Sequence, residues 1–462
     1  MAKKKNNPLR AELRQLLRKY PKTATMELLV PDMLGILRGK RIRRSSFEKT
    51  CDEEFVLCAS TVLMSVLGDT LPGMPGDTDG DPDTPCRLVP GSIAPLPWAN
   101  RPTAQALFRM FDKSGKPYFA DPRAVLERSI APLKKMGLKI VMATELEFYL
   151  LDGKADRPTQ RPSRVPGLGR PQPGPQVYNP DDLWEVEQFL DDLYDYCDAQ
   201  GIPADTATSE FAPAQFEINL AHVDDPVLAC DHAVLLKRAV KATALKHGLV
   251  ACFMAKPFAE DSGSGLHIHM SLVDKKGKNY FSHGRDNLAV PPFSARLRNA
   301  VGGLLKTMAE STAIYAPNAN SYRRLSPEYF APVDLNWGVN HRVVAIRIPQ
   351  SDANNLRFEH RVAGADANPY LVTAAIAAGV HYGLKNKCDP GRMVEEGEEV
   401  RLKTRIPDRW DRAIDCFAKS KVLPEYLGAE YCRYYALNRR GECRQFHNTV
   451  SPTDFDWYLR AV

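Results

Sequence analysis

Glu145 and Glu147 stand two apart in the stretch "ATELEFYL", and His267 and His269 stand two apart in "GSGLHIHMSL". On a strand, residues two apart project to the same side, so each pair shares a face and its apolar neighbours take the other. The pattern recurs. "SEFAPAQFEINL" carries Glu210 and Glu217 around a proline-containing turn, and "FEHR" carries Glu359 and Arg361 on one face. Taken alone, each strand reads as a solvated face and each histidine as a satisfied core residue. Repetition changes the argument, because buried carboxylates in such number need cations beside them or they become neutral acids and destabilise the fold. Carboxylate oxygens with imidazole nitrogens suit Mg²⁺ or Mn²⁺.

Arginines accompany the acids: Arg323 and Arg324 in "NSYRRLSPEYFAP", Arg342 and Arg347 in "NHRVVAIRIP", Arg357 and Arg361 in "NNLRFEHR". A guanidinium grips phosphate or carboxylate through paired hydrogen bonds. Carboxylates, imidazoles and arginines together describe a divalent-metal site that handles phosphates. There is no P-loop and no GxGxxG fingerprint, so a nucleotide would be held in another way.

These groups need strands to position them. Strands are predicted at residues 138–151 and over "AQFEINL", "LHIHMSLV", "VVAIRIP" and "NLRFEHRV", separated by helices over 121–137, 181–201 and 228–248. At the front, residues 8–20 read as a helix, "TMELLVPDMLGILRGKRI" as a hairpin and "QALFRMFD" as a strand, a small α+β unit ending near residue 120. Prolines and glycines in 71–98, and again in 157–180, predict loops.

With 462 residues, 44% apolar and 26% charged, the chain is long enough for a small and a large domain, and no apolar run is long enough to cross a membrane. The basic start continues into polar residues rather than an apolar stretch, which argues against secretion. Ten cysteines without CxxC or zinc spacing read as reduced thiols, pointing to the cytoplasm. A net charge of +6 is small for this length and its basic residues are interleaved with acidic ones, so nucleic acid is not an expected partner.

In order along the chain, "TELEF", "SEFAPAQFE", "GSGLHIHMSL", "NSYRRL", "NHRVVAIRIP" and "FEHRVAGADANPYL" resemble the motifs of the glutamine synthetase superfamily. Within it, the chain is most similar to the γ-glutamylpolyamine synthetases. The resemblance implies an α+β fold: an N-terminal extension over 1–20, a β-grasp domain over 21–120, and a catalytic domain over 121–462 with a curved antiparallel sheet flanked by helices. It implies an ATP-dependent ligase that phosphorylates the γ-carboxylate of L-glutamate and lets an amine displace the phosphate.

By position, the resemblance implies one metal on Glu147, Glu210 and Glu217 and another on Glu145, His267 and Glu359. His269, Arg342, Arg347 and Arg357 would serve the nucleotide and the transferring phosphoryl group. Arg324 and Arg361, with Gly263 and Ser262, would hold glutamate. The expected assembly is a homo-oligomer, a dodecamer of two hexameric rings with sites between neighbouring subunits.

Departures from the pattern bear on the acceptor. Glutamine synthetases carry a glutamate where this chain has Phe330, and a "DGSS" stretch where it has "SVLGDT", Ser65 to Thr70. Ammonium would lose both anionic partners, whereas an aromatic side chain favours the hydrocarbon part of a larger amine. Asp69 and Glu328 are candidate contacts for an ammonium group. Ser262 replaces an asparagine, and serine can still donate one hydrogen bond. A glutamine synthetase using ammonia and a non-catalytic relative are the competing readings; the first is disfavoured by Phe330, the second by the full set of metal positions. From Lys385 to Trp410 no adenylylation loop is recognisable, so regulation of that kind is not expected.

Overall fold

A computed structural model describes residues 7–153, 176–282, 293–395, 397–398 and 405–462. The predicted loop at 157–180 therefore lies largely outside the described residues, as does part of the stretch from Lys385 to Trp410.

The chain opens with α1 (Pro8–Lys19), whose Asn7 cap accepts from the Leu9 amide at 3.0 Å while Pro8 fills the first helical position. Leu13 and Leu16 face inward. Glu12 accepts from the backbone amides of Gly91 and Ile93, at 2.9 and 2.6 Å, and ties this helix to the sheet that follows.

The hairpin is formed by β1 (Thr25–Pro31) and β2 (Leu37–Arg43). After α2 (Phe47–Asp52) come β3 (Phe55–Cys58), β4 (Asp83–Leu88), β5 (Ala94–Pro95) and β6 (Thr103–Met110). The sheet order is β2-β1-β6-β4-β3, with β1 and β6 parallel and β5 pairing β6. The proline-rich stretch 71–98, expected to be loop, thus contains β4 and β5. Tertiary pairing to β3 and β6 supplies the backbone partners that local composition disfavours.

Next, α3 (Pro122–Lys135) is capped by Asp121 and stopped at Gly137, whose φ of +76° suits glycine. It leads into β7 (Lys139–Asp152), the long central strand of the second sheet. The helix predicted over 181–201 is two helices, α4 (Pro180–Trp184) and α5 (Glu187–Gln200), interrupted at Val186. The remaining elements of this region are β8 (Ala204–Ser209), β9 (Gln215–Leu220), α6 (Pro226–Lys246), β10 (Leu249–Cys252) and β11 (Leu266–Val273).

Beyond them lie α7 (Ala295–Tyr315), α8 (Ser321–Arg324), β12 (Trp337–Val339), β13 (Ile346–Ile348) and β14 (Phe358–His360). The last two are shorter than the predicted "VVAIRIP" and "NLRFEHRV", because Val343 and Val344 turn rather than extend and only Phe358 to His360 find ladder partners. The chain closes with α9 (Pro369–Asn386), α10 (Trp410–Ala418), α11 (Leu423–Leu427), α12 (Ala429–Asn448) and α13 (Pro452–Tyr458).

The second sheet runs β12-β13-β14-β11-β7-β9-β8, with β10 also on β7, and every pair except β12 with β13 is antiparallel. Its apolar face carries Leu146, Phe148, Ile268 and Met270, all buried. Phe148 meets Phe189, Phe216 and Phe253 there, and helices α6, α7 and α9 belong to the same apolar core. Burying that face in helices leaves the opposite one to carry the polar groups. Among the described residues no helix is long and apolar enough to cross a membrane.

Candidate active site

Strand register assembles the acids and imidazoles. Glu145 lies opposite His267 and Glu147 opposite Glu217, on the two sides of β7. His269 lies opposite Glu359, which lies opposite Arg347 in turn. His267 is the hub: its Nδ1 is 3.3 Å from Glu145, 3.7 Å from Glu359 and 4.0 Å from Glu217, and its Nε2 is 3.8 Å from Glu147. Glu145 also reaches His269 Nε2 at 2.8 Å. Ligand atoms of Glu145, His269 and Glu359 lie within 4.8 Å of one another, as do those of Glu145, Glu217 and His267. These two sets differ in membership from those the resemblance implies, because the Glu145 carboxylate sits between both imidazoles.

The electrostatics are those of crowded acids. Burial, reinforced by Glu147 and Glu145, pushes Glu210 up to about 8. Glu217 is raised well above the carboxylate range by burial and by Glu145, Glu147, Glu210 and Glu359. Glu145 goes the other way: burial would raise it, but hydrogen bonds with His267 and His269 hold it well below. Glu359, fully buried, resists the same burial through Arg361, His269 and His267 and is held at about 2. Arg347 Nη1 donates to Glu359 Oε2 at 2.7 Å, and Arg361 Nη1 donates to Oε1. Among the described residues arginines bond only Glu359 of this cluster, and Glu145, Glu147, Glu210 and Glu217 have no arginine partner. The hard donor set and the excess of negative charge fit a divalent ion.

The turn before β11 abuts this cluster. Glu147 Oε2 accepts from the Gly265 amide at 2.7 Å. A Cβ on Gly263 would come within 2.4 Å of the Ala255 carbonyl, and one on Gly265 within 2.7 Å of both Arg324 Nη2 and His267 Nε2. Glycine is required at both by close approach rather than by φ. Gln215, which sequence reasoning missed, organises the turn: its Nε2 donates to the Gly263 carbonyl at 3.1 Å and to Glu147 at 3.4 Å. Its Oε1 accepts from the Ser262 hydroxyl and from the Ala212 amide at 3.2 Å. The signal was available, since Gln215 is two residues before Glu217 on one strand face.

Ser262 was expected to offer its hydroxyl to glutamate, and in the structure that hydroxyl donates to Gln215. The side chain is buried and spent on Gln215, while its carbonyl accepts from Tyr149 at 2.6 Å. Arg324, also buried, donates to the carbonyls of Val362 and Arg361 at 2.9 and 3.3 Å. Arg361 lies beside it with its Nε unbonded.

The other candidates are spread around this centre. Arg357 Nε donates to His269 Nδ1 at 3.1 Å. Arg342 is exposed in a turn, near enough for its charge to act on Glu210. Phe330 is exposed, with φ +59°, and its ring meets that of Phe211 edge-on at 5.5 Å. Tyr178, a second missed residue, feels the charges of Arg342, Glu210, Glu217 and Glu145. Asp69 is hydrogen-bonded to Ser65 and Glu328 is exposed.

The family model of the glutamine synthetase catalytic domain matches residues 119–458. The chain belongs to the glutamine synthetase family. It is 39% identical over 454 residues to the γ-glutamylputrescine synthetase PuuA of Escherichia coli (strain K12), covering 97% of this chain and 94% of that one. It is 29% identical to a glutamate–isopropylamine ligase of Pseudomonas sp, covering 95% of each. Among solved structures it is similar to GmaS without ligand, with a TM-score of 0.82, 25% identity and coverage of 97% of this chain and 99% of that one. A glutamine synthetase-type catalytic fold and membership of a family of ligases are thereby established for this chain.

Proposed function

We propose that this protein joins the γ-carboxylate of L-glutamate to a primary amine, such as a polyamine or small alkylamine, at the expense of ATP. The observation that carries the reading is the ring of carboxylates around His267. A carboxylate is a poor electrophile; phosphorylation by ATP gives an acyl phosphate, which the amine attacks with release of phosphate and a proton.

In this reading Glu145, Glu147, Glu210, Glu217, His267 and Glu359 hold two or more Mg²⁺ or Mn²⁺ ions, which when bound neutralise the phosphate oxygens. His269, Arg342, Arg347 and Arg357 serve the nucleotide and the transferring group. Arg324 and Arg361, with the backbone of Gly263, hold glutamate, and Gln215 fixes that backbone. Phe330 lines the acceptor side. Two relatives named for ligating glutamate or a γ-glutamyl group to an organic amine support the acceptor class.

The domain division at residue 120 and a dodecameric assembly complete the proposal. Phe455, Trp457 and Leu459 stand exposed on and after α13, an apolar surface suited to a second copy. A cytoplasmic setting is supported by ten cysteines that are all free.

The test is ADP release with glutamate, Mg²⁺ or Mn²⁺ and a panel of ammonia, methylamine, isopropylamine, ethanolamine, aniline, putrescine and spermidine. An organic amine should be preferred. Turnover with ammonia alone would refute the acceptor class, and no amine-dependent ADP release at all would refute the ligase.

A further inference from the structure

We propose that Phe211 and Phe330 form an aromatic wall beside Glu210 that packs on the carbon chain next to the attacking nitrogen, making Phe211 a specificity-determining residue. This rests on the glutamate–amine ligase reading and names the part of the acceptor that the site recognises.

Phe211 follows Glu210 in the turn between β8 and β9, a turn closed by the Glu210 amide donating to the Gln215 carbonyl at 2.9 Å. Position and chemistry are therefore joined: the ring stands one residue from a half-buried acid of the site. Phe330 arrives from a different segment, the loop after α8, and the two rings meet at 5.5 Å and 69°, the edge-to-face geometry aromatic pairs favour.

Neither ring is core. Phe330 is 44% exposed and Phe211 is half-buried, although an apolar pair of this size would ordinarily be covered. Phe330 is also held at φ +59°, a conformation that side chains bearing a Cβ rarely adopt.

What holds it there is the preceding residue. Tyr329 places its ring under Lys256, whose Nζ is 3.6 Å from the centroid, and its hydroxyl donates to the Glu260 carbonyl at 2.9 Å. Lys256 Nζ donates in turn to the Asp261 carbonyl. The loop is thus pinned at Tyr329 while Phe330 is turned toward Phe211.

A pinned aromatic pair one residue from the half-buried Glu210 offers two complementary surfaces, apolar for methylenes and oxygen acceptors for the N–H groups of an amine. Ammonia can use only the second. An alkylamine uses both, so contact with the pair discriminates by chain length, and one methylene in an apolar pocket is worth roughly tenfold or more in kcat/KM.

The experiment measures kcat/KM for propylamine and for ammonia by ADP release in the wild type, Phe211→Ala, Phe211→Leu and Phe330→Ala. Phe211→Ala is expected to lower the propylamine-to-ammonia ratio about tenfold, chiefly through the KM for propylamine, with Phe211→Leu falling between it and the wild type. Phe330→Ala should act similarly, and the double variant should lose less than the product of the two, because one contact is removed twice. A wild type that accepts propylamine, with a ratio unchanged in Phe211→Ala, overturns this proposal and leaves the ligase reading standing. A wild type that accepts no organic amine overturns both. If Phe211→Ala does not fold by circular dichroism, an unchanged ratio in Phe211→Leu is the overturning result.

Discussion

Glu147 and Glu217 face each other across the β7–β9 ladder, two buried carboxylates in directly opposed positions with a third, Glu210, acting on both. Like charges opposite one another would destabilise a strand pair, and together with burial this is why Glu217 is raised well above the carboxylate range. The arrangement persists because the surrounding sheet fixes it: Glu147 is bonded to the Gly265 amide, and both strands are packed from the far side by aromatic residues around Phe148.

Glu147→Ala removes one of those carboxylates together with the acceptor of the Gly265 amide. Turnover is expected to fall to background and Mn²⁺ affinity by about a hundredfold, while circular dichroism still reports a folded chain. Isothermal titration with Mn²⁺ checks the second point, and retained activity would remove Glu147 from the site.

Gly263→Ala places a methyl group 2.4 Å from the Ala255 carbonyl and 2.6 Å from Arg324 Cγ. Since backbone on one side and a buried arginine on the other must give way, urea unfolding should show a loss of about 1–3 kcal/mol. The KM for glutamate should rise with it. An unchanged midpoint would show that the turn is looser than these distances imply.

Gln215→Ala leaves the Gly263 carbonyl and the Ser262 hydroxyl without their partner in a buried place. A cost of about 1–3 kcal/mol in stability is expected. Because Gln215 acts by positioning the turn, the KM for glutamate should change more than the KM for ATP; equal changes in both would assign it a general structural role.

Asp32 gives a pH-dependent signature away from the acid cluster. Its carboxylate accepts from the Leu34 and Ile36 amides at 2.8 and 2.9 Å and from Arg38 at 2.9 Å, yet burial dominates and raises it to about 6. A raised acid binds its proton more tightly folded than unfolded. Its contribution is therefore full below about pH 4 and lost as pH rises through about 6, a span worth about 3 kcal/mol. Chemical unfolding of wild type and Asp32→Asn across pH 4–7 should show a stability difference that changes over that window; a constant difference would contradict the shift.

Much of this protein was legible in sequence because strands alternate. The pairs Glu145/Glu147 and His267/His269 declared shared faces by their spacing, and the helix caps at Asp121 and Gly137 announced α3. Elements whose stability is borrowed were not legible: β4 and β5 form in a proline-rich stretch because β3 and β6 supply their hydrogen bonds, and the helix over 181–201 breaks at Val186 where no local signal demanded it.

Residue types and spacing determined that acids, imidazoles and arginines would share strand faces, since side-chain direction is a local property of an extended backbone. Which of them meet was decided only by tertiary structure. Register puts Glu147 against Glu217 and His267 among four carboxylates, Gln215 claims the Ser262 hydroxyl, and Phe211 meets Phe330 from 119 residues away. Pairing partners and their offsets depend on packing between distant segments, and no short window of sequence contains that information.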